Sequence, residues 1–303
     1  MSTTTSSISP PPSSSSSSSP SSFGTSSSVW PYEPVFAPCI VFTAIYALLL
    51  LWISYLTFIR YRTFYFTVMP LGTSVEVLGY ALRCYAVKNQ TQLPPYITSL
   101  SLTVLAPLLF SAGNYLLLPR LIVSTTPNQN LNPRTTILKV PTNRLAHLFI
   151  SLDILAFLIQ GAGTSVSGSA KWTGPTALVG VRVLVGGLAV QVLGVGWFLA
   201  CVVRYRYLER AGMGEEKRSK KSRSGNLTWA VAISGGLILI RSIYRLVEFA
   251  EGVDGYVFRS EWLFWLFEAA AMVGCVVVFC FWHPGQLLID DNNNKPEVVV
   301  VDL

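Results

Sequence analysis

Charge is scarce in this chain. Only 12% of its 303 residues are Asp, Glu, Lys or Arg, against about a quarter in soluble globular proteins, and that deficit excludes an ordinary cytosolic enzyme. Histidine is scarcer still. His147 and His283 are the two in the sequence; both fall at helix ends and read as interfacial, which leaves zinc hydrolysis and His-assisted nucleophilic catalysis without their usual residues. The five cysteines, Cys39, Cys84, Cys201, Cys275 and Cys280, form no Cys-x-x-Cys pair and all but one lie well inside apolar stretches. Neither a zinc site nor a disulfide framework follows from them. No Gly-x-x-x-x-Gly-Lys-Ser/Thr loop, His-Glu-x-x-His or Gly-x-Ser-x-Gly occurs, so an ATP-driven pump, a zinc protease and a serine hydrolase each lack their motif. The expectation is a protein that is not an enzyme, with no catalytic residues, no metal and no cofactor.

What the chain does have is apolar length. Hydrophobic residues make up 51% of it and gather into seven segments, roughly 36–59, 64–87, 97–118, 145–166, 177–203, 227–249 and 261–282. Each is long enough to cross the roughly 30 Å hydrocarbon core as a helix of about 20 residues. The expected fold is therefore all-α: a polytopic membrane protein of seven transmembrane helices over residues 36–282. The fourth segment ends in Gly161-Ala162-Gly163-Thr164-Ser165-Val166-Ser167-Gly168, small and polar enough to unwind, and Pro107 is expected to kink the third. Residues 1–35 read as a disordered Ser/Pro-rich tail, because the first 28 hold sixteen Ser, four Thr and four Pro and no charged residue. They have neither the basic start nor the early apolar run of a signal peptide, so the first span is expected to direct insertion.

Orientation follows from Lys and Arg in the connections, since cytoplasmic loops keep the positive excess. On one side lie Lys88, Lys171 and Arg259. On the other lie Arg60, Arg62, Arg120, Arg134, Lys139, Arg144, Lys295 and the eight basic residues between Arg204 and Arg223, fifteen against three. The N-terminus is expected outside, and the C-terminal tail, 283–303, in the cytosol. Asn89-Gln90-Thr91 then becomes an external glycosylation sequon. The stretch 204–226 becomes a basic cytosolic loop, either a solvated segment that only sets topology or one drawn to the anionic inner-leaflet lipids, which attract each juxtamembrane cation by about 1 kcal/mol. Nucleic acid is not expected as a partner of a loop tethered at a bilayer.

The residues that call for a reason are ionisable ones at membrane depth, where a charge costs about 2.5 to 3.5 kcal/mol even on the lenient insertion scale. The second segment carries Glu76 and Arg83, the fourth Asp153 and Gln160, the sixth Arg241, Arg245 and Glu248, and the seventh Glu261 and Glu268. In each of these segments two polar residues stand seven apart, nearly two helical turns, so they share a face. Arg182 joins them from the fifth segment, whereas Gln191, four residues after Gly187, suits a helix–helix hydrogen bond. One reading is a cluster of Arg and carboxylates lining a water-accessible cavity or substrate path. The other is a set of buried pairs that only fix helix register.

At the sixth segment the string Arg241-Ser242-Ile243-Tyr244-Arg245-Leu246-Val247-Glu248, followed by Gly252, Gly255 and Glu261, resembles the signature of the fungal lipid-translocating exporter family, the aminocholesterol-resistance group of seven-helix proteins. Glu76-Val77-Leu78-Gly79-Tyr80-Ala81-Leu82-Arg83, Asp153 with Gln160-Gly161-Ala162-Gly163, Gln191, and His283-Pro284-Gly285 match in order; Glu268 stands where that pattern has Asp. The resemblance spans about 30–288 and implies a plasma-membrane or endomembrane protein linked to sphingoid long-chain bases, sterol-like drugs or porphyrins. It implies membrane lipids and amphiphilic small molecules as partners or cargo. The competing expectation is a seven-helix receptor or stress sensor that regulates lipid movement without carrying cargo. Against it, the third segment ends in Asn114-Tyr115-Leu116-Leu117-Leu118-Pro119-Arg120, without an Asp-Arg-Tyr switch.

Overall fold

The computed structural model describes residues 36–89, 93–125, 142–169, 174–212, 218–252 and 255–285. Every regular element among the described residues is helical, as expected of a chain whose backbone polar groups must be satisfied within each span. Helix α1 runs Phe36–Arg60, its last turn, Tyr55–Arg60, widened to a π-helix. A short 3-10 turn, Phe64–Phe66, leads into α2, Val68–Lys88. Pro70 is tolerated in the first turn of α2, where its missing N–H has no intrahelical partner to lose. Then follow α3, Leu93–Thr125; α4, Thr142–Ser169; α5, Gly174–Gly212; and α6, Arg218–Glu251. After a single turn, Tyr256–Arg259, the last helix α7 covers Glu261–Phe281, with a π-helical stretch at Phe264–Ala270.

Six of these helices, all but α2, are long and apolar enough to cross a membrane. Helix α2 is less apolar because Glu76, Arg83 and Lys88 interrupt it, yet its 21 residues reach about 30 Å, and Glu76 and Arg83 are buried. The outward faces are apolar: Leu48, Leu51, Leu193 and Phe281 are each 69 to 73% exposed. Large apolar side chains turned outward all around a bundle find their partner in lipid, and the chain is a multi-pass membrane protein.

The helices pack in chain order, α1 on α2, α2 on α3 and so on to α6 on α7, with α1 against α7 closing the ring. Helix α3 also touches α6 across the middle, so these two bring side chains to the bundle axis.

Three sequence expectations change. The end of α4 does not unwind; it stays helical to Ser169. Its small residues form a seam on α5: a Cβ on Gly163 would lie 2.5 Å from the Leu184 backbone nitrogen, and one on Gly180 would lie 2.7 Å from the Gly163 carbonyl. Close backbone approach through small residues is how membrane helices gain van der Waals contact without a hydrophobic drive. The basic stretch 204–226 is not simply a loop. Helix α5 continues to Gly212 and α6 begins at Arg218, because no Gly or Pro stands between Arg204 and Arg210 to stop propagation. Arg206 Nη1 donates to the Gly225 carbonyl at 2.8 Å and lies over the Trp229 ring, tying the two helices together there. His283, just past the end of α7, is not exposed there but buried, stacked on Tyr61 and edge-on to Phe66. The Gly285 N–H donates to its Nδ1, which leaves Nε2 to donate to Thr57 Oγ1 at 3.3 Å, and burial pushes its pKa down to about 4. Residues 1–35, Gln90-Thr91 of the sequon and 286–303 lie outside the described residues. Asn89 itself caps α2, its Nδ2 donating to the Tyr85 carbonyl.

Candidate functional site

Helices α6 and α7 bring four charges into direct contact. Arg241 and Arg245 stand one turn apart on α6, with Glu248 a turn beyond; all three are buried. Arg241 Nη2 meets Glu268 Oε1 of α7 at 2.7 Å, and Arg245 Nε meets Glu268 Oε2 at 2.8 Å. Arg245 Nη1 pairs with Glu248 Oε2 at 2.8 Å. Glu268 is therefore clamped by both guanidinium groups. It sits in the π-helical part of α7, a local widening often found where a helix is shaped for function.

Helix α3 completes this cluster through its backbone. Pro107 has no N–H, so the carbonyl of Thr103, four residues earlier, lacks its usual helical donor. Arg241 Nη2 supplies one at 2.9 Å. Helix α3 stays helical through Pro107 and Pro119, and Pro107 leaves that carbonyl available.

Glu76 of α2 lies within the electrostatic reach of Arg241, Arg245 and Glu268 but forms no ion pair with them. It is 1% exposed, and its Oε2 has no hydrogen-bond partner among the described residues. One turn on, Tyr80 stacks on Tyr46 of α1 at 5.2 Å, and Phe42 stacks on Trp265 of α7 at 5.2 Å. The Tyr80 hydroxyl and Trp265 Nε1 are likewise buried without partners among the described residues, whereas the Tyr46 hydroxyl donates to the Ala269 carbonyl. Arg83, seven residues from Glu76, packs its guanidinium over Phe264 at 4.2 Å and over Trp265. Glu261 is half-buried at the start of α7, within electrostatic reach of Cys39.

Other residues singled out in the sequence go elsewhere. Asp153 accepts from Tyr115 at 2.9 Å, joining α4 to α3. Gln160 Nε2 donates to Gln191 Oε1 at 3.0 Å across the α4–α5 seam. Tyr244 is buried and stacks on Phe267. Arg182 is exposed and is not part of the inward cluster, because it lies on the face of α5 turned away from α4. Thus the structure separates a charged cluster on α6–α7, with Glu76 beside it, from two neutral-partner contacts that brace α4.

Some members of the interior were not legible in the sequence. Asn114 Nδ2 donates to Ser234 Oγ, which lies 2.8 Å from Cys275 Sγ, linking α3, α6 and α7. Single small polar residues in apolar runs give no periodic signal. The Thr103 carbonyl did have one, the proline four residues on.

Among the described residues no group of three or more His, Cys, Asp or Glu is placed to hold a metal. Fold and site define a class: an all-helical, multi-pass membrane protein with a charged cluster at the centre of its bundle. Residues 69–291 match the family described as RTA1 like protein, and the chain belongs to that family, in agreement with the resemblance of its helix 6 string. It is 28% identical over 288 residues to the probable lipid transporter atnI of Emericella nidulans, covering 91% of this chain and 72% of that one. It is 29% identical to protoporphyrin uptake protein 1 of Saccharomyces cerevisiae over 69% of this chain and 65% of the relative. To the sphingoid long-chain base transporter RSB1 of the same species it is 25% identical over 74% and 65%. No solved structure matches the chain.

Proposed function

We propose that the protein translocates amphiphilic lipids, of the sphingoid long-chain base kind, between the two leaflets. The observation that carries this reading is the cluster of Arg241, Arg245, Glu248 and Glu268 buried at the bundle axis with the uncommitted carboxyl of Glu76 beside it. Charge at that depth is costly, and its usual use is a substrate or ion path. Two relatives named as lipid transporters support the same role. A long-chain base has one ammonium and an apolar tail, so an acidic site between helices suits the head while the tail stays in lipid. The role is transport, with no catalytic step.

Purified protein in otherwise protein-free vesicles is expected to speed the flipping of a tail-labelled long-chain base well above that of empty vesicles. An unchanged rate would overturn the reading and favour a sensor that carries no cargo, the alternative that a ring of seven helices also suits.

The orientation belongs to this proposal: N-terminus outside, C-terminus and the basic ends of α5 and α6 in the cytosol, next to anionic lipid. Protease added to sealed cells is expected to remove the N-terminal tail and spare the segment 204–223. Cleavage of that segment from outside would reverse the assignment.

A further inference from the structure

The charges around Glu76 do not balance if it is ionised. Arg241 and Arg245 supply two positive charges, and Glu248 and Glu268 already neutralise them at 2.7 to 2.8 Å. Glu76 is a third acid in the same field, 1% exposed, with Oε2 facing no donor among the described residues. The groups around it are Tyr46 from α1, Tyr80 from its own helix, Arg241 and Arg245 from α6, and Glu268 and Cys275 from α7. From α3 comes the Thr103 carbonyl, already taken up by Arg241; the charged residue of α3, Arg120, lies several turns away over Tyr65. A lone carboxylate so enclosed is costly enough that it takes up a proton or a cation. In the closed arrangement seen here, the proton is the ligand that fits.

The second observation is the aromatic layer one turn along. Tyr46, Tyr80, Phe42 and Trp265 form one continuous stack, whose Trp265 end already lies under the Arg83 guanidinium, so its rings are of the kind that stabilise a cation. The Tyr80 hydroxyl and Trp265 Nε1 are both without partners among the described residues. An acid and a set of aromatic faces are what a cationic head group needs once the helices part to admit it.

We propose that Glu76 is an exchange site that holds either a proton or the cationic head of the cargo, so that one lipid crossing in one direction returns one proton in the other. This rests on the translocator reading and adds the coupling ion to it. When the ammonium arrives, the O–H bond of the Glu76 carboxyl breaks, its proton passes to water on the side of entry, and the carboxylate pairs with the ammonium. On the opposite side a proton from water re-forms the O–H bond and releases the lipid. The site keeps the same charge throughout, and no bond in the cargo changes.

The test uses the full chain in phosphatidylcholine vesicles with a pH-sensitive dye inside. The probe is a tail-labelled trimethylammonium analogue of a long-chain base, whose charge does not vary with pH and which cannot redistribute as a free base. The analogue is expected to accumulate on the acidic side by about tenfold per pH unit of imposed gradient, and its addition to one side is expected to move protons the other way. Glu76→Gln should lose both responses while remaining monodisperse, and Glu76→Asp, which keeps a carboxyl, should retain the gradient response at a lower rate. A wild-type protein that moves the analogue to the same final ratio with and without a gradient would overturn the exchange and leave the translocator reading intact. So would gradient-driven accumulation by Glu76→Gln. Wild-type vesicles that move neither the analogue nor the primary amine would overturn both.

Discussion

Arg241→Leu is expected to cost about 3 to 5 kcal/mol, the range for removing one partner of a buried ion pair. Much of that loss comes from what remains. Glu268 would keep Arg245 but lose the 2.7 Å contact on its other oxygen, and the Thr103 carbonyl would lose its donor inside the bundle. Arg241→Lys should fall between this variant and wild type, because an ammonium restores the charge but its shorter stem does not carry a nitrogen to the point from which Nη2 serves both the Thr103 carbonyl and Glu268. Unfolding in detergent, followed by the intrinsic fluorescence of the tryptophans, measures the difference. A loss of 1 kcal/mol or less, roughly the value of an exposed pair, would mean that Arg241 is solvated and that the cluster does not hold α3, α6 and α7 together.

The second large effect is expected at a residue with no charge. Gly180→Val should destabilise the bundle by at least about 2 to 3 kcal/mol, at or above the usual cost of overpacking. Its first added carbon would meet the backbone nitrogen of Ser167 at 2.6 Å and the Gly163 carbonyl at 2.7 Å. Neither is a flexible side-chain end that can swing aside, so α4 and α5 would have to separate, and the Gln160–Gln191 bond along the same seam would open with them. Gly186→Ala is the matched control. Nothing lies within 4 Å of a Cβ there, and the substitution should be neutral or stabilising by up to about 1 kcal/mol through helix propensity. Equal behaviour of the two variants in the same unfolding assay would refute the seam.

Much of this was readable beforehand because the bilayer imposes strong rules on sequence. The seven apolar segments match the seven helices to within a few residues at most ends, since length and polarity together decide what can span. The ends differ most at α5 and α6, which outrun their apolar segments as far as Gly212 and Arg218, because a helix need not stop where the hydrocarbon does. The seven-residue spacing also held its meaning. Glu76 with Arg83, Asp153 with Gln160, and Arg241 with Glu248 are all buried, as residues on one inward face must be, whereas in the fourth pair Glu268 is buried and Glu261, at the helix start, is half-buried.

Which of these residues meet was not readable, because pairing depends on rotation and neighbour order, and neither leaves a periodic mark. Asp153 has the same credentials as Glu268 along the chain, yet it faces Tyr115 and, among the described residues, takes no arginine. Arg182, equally charged and equally within a span, turns outward.

By itself, then, the amino-acid sequence determined that the chain spans a membrane several times, that its structure is helical, and that its charges within the spans must be turned inward with few exceptions. These follow from the cost of placing polar groups in hydrocarbon, which acts on each segment separately. The tertiary structure alone decided that Glu268 is shared by two arginines, that Pro107 leaves a backbone carbonyl for one of them, and that Glu76 is left with an oxygen to spare. Those outcomes depend on how α2, α3, α6 and α7 are turned toward one another, and packing sets that rotation through contacts between residues far apart in the chain.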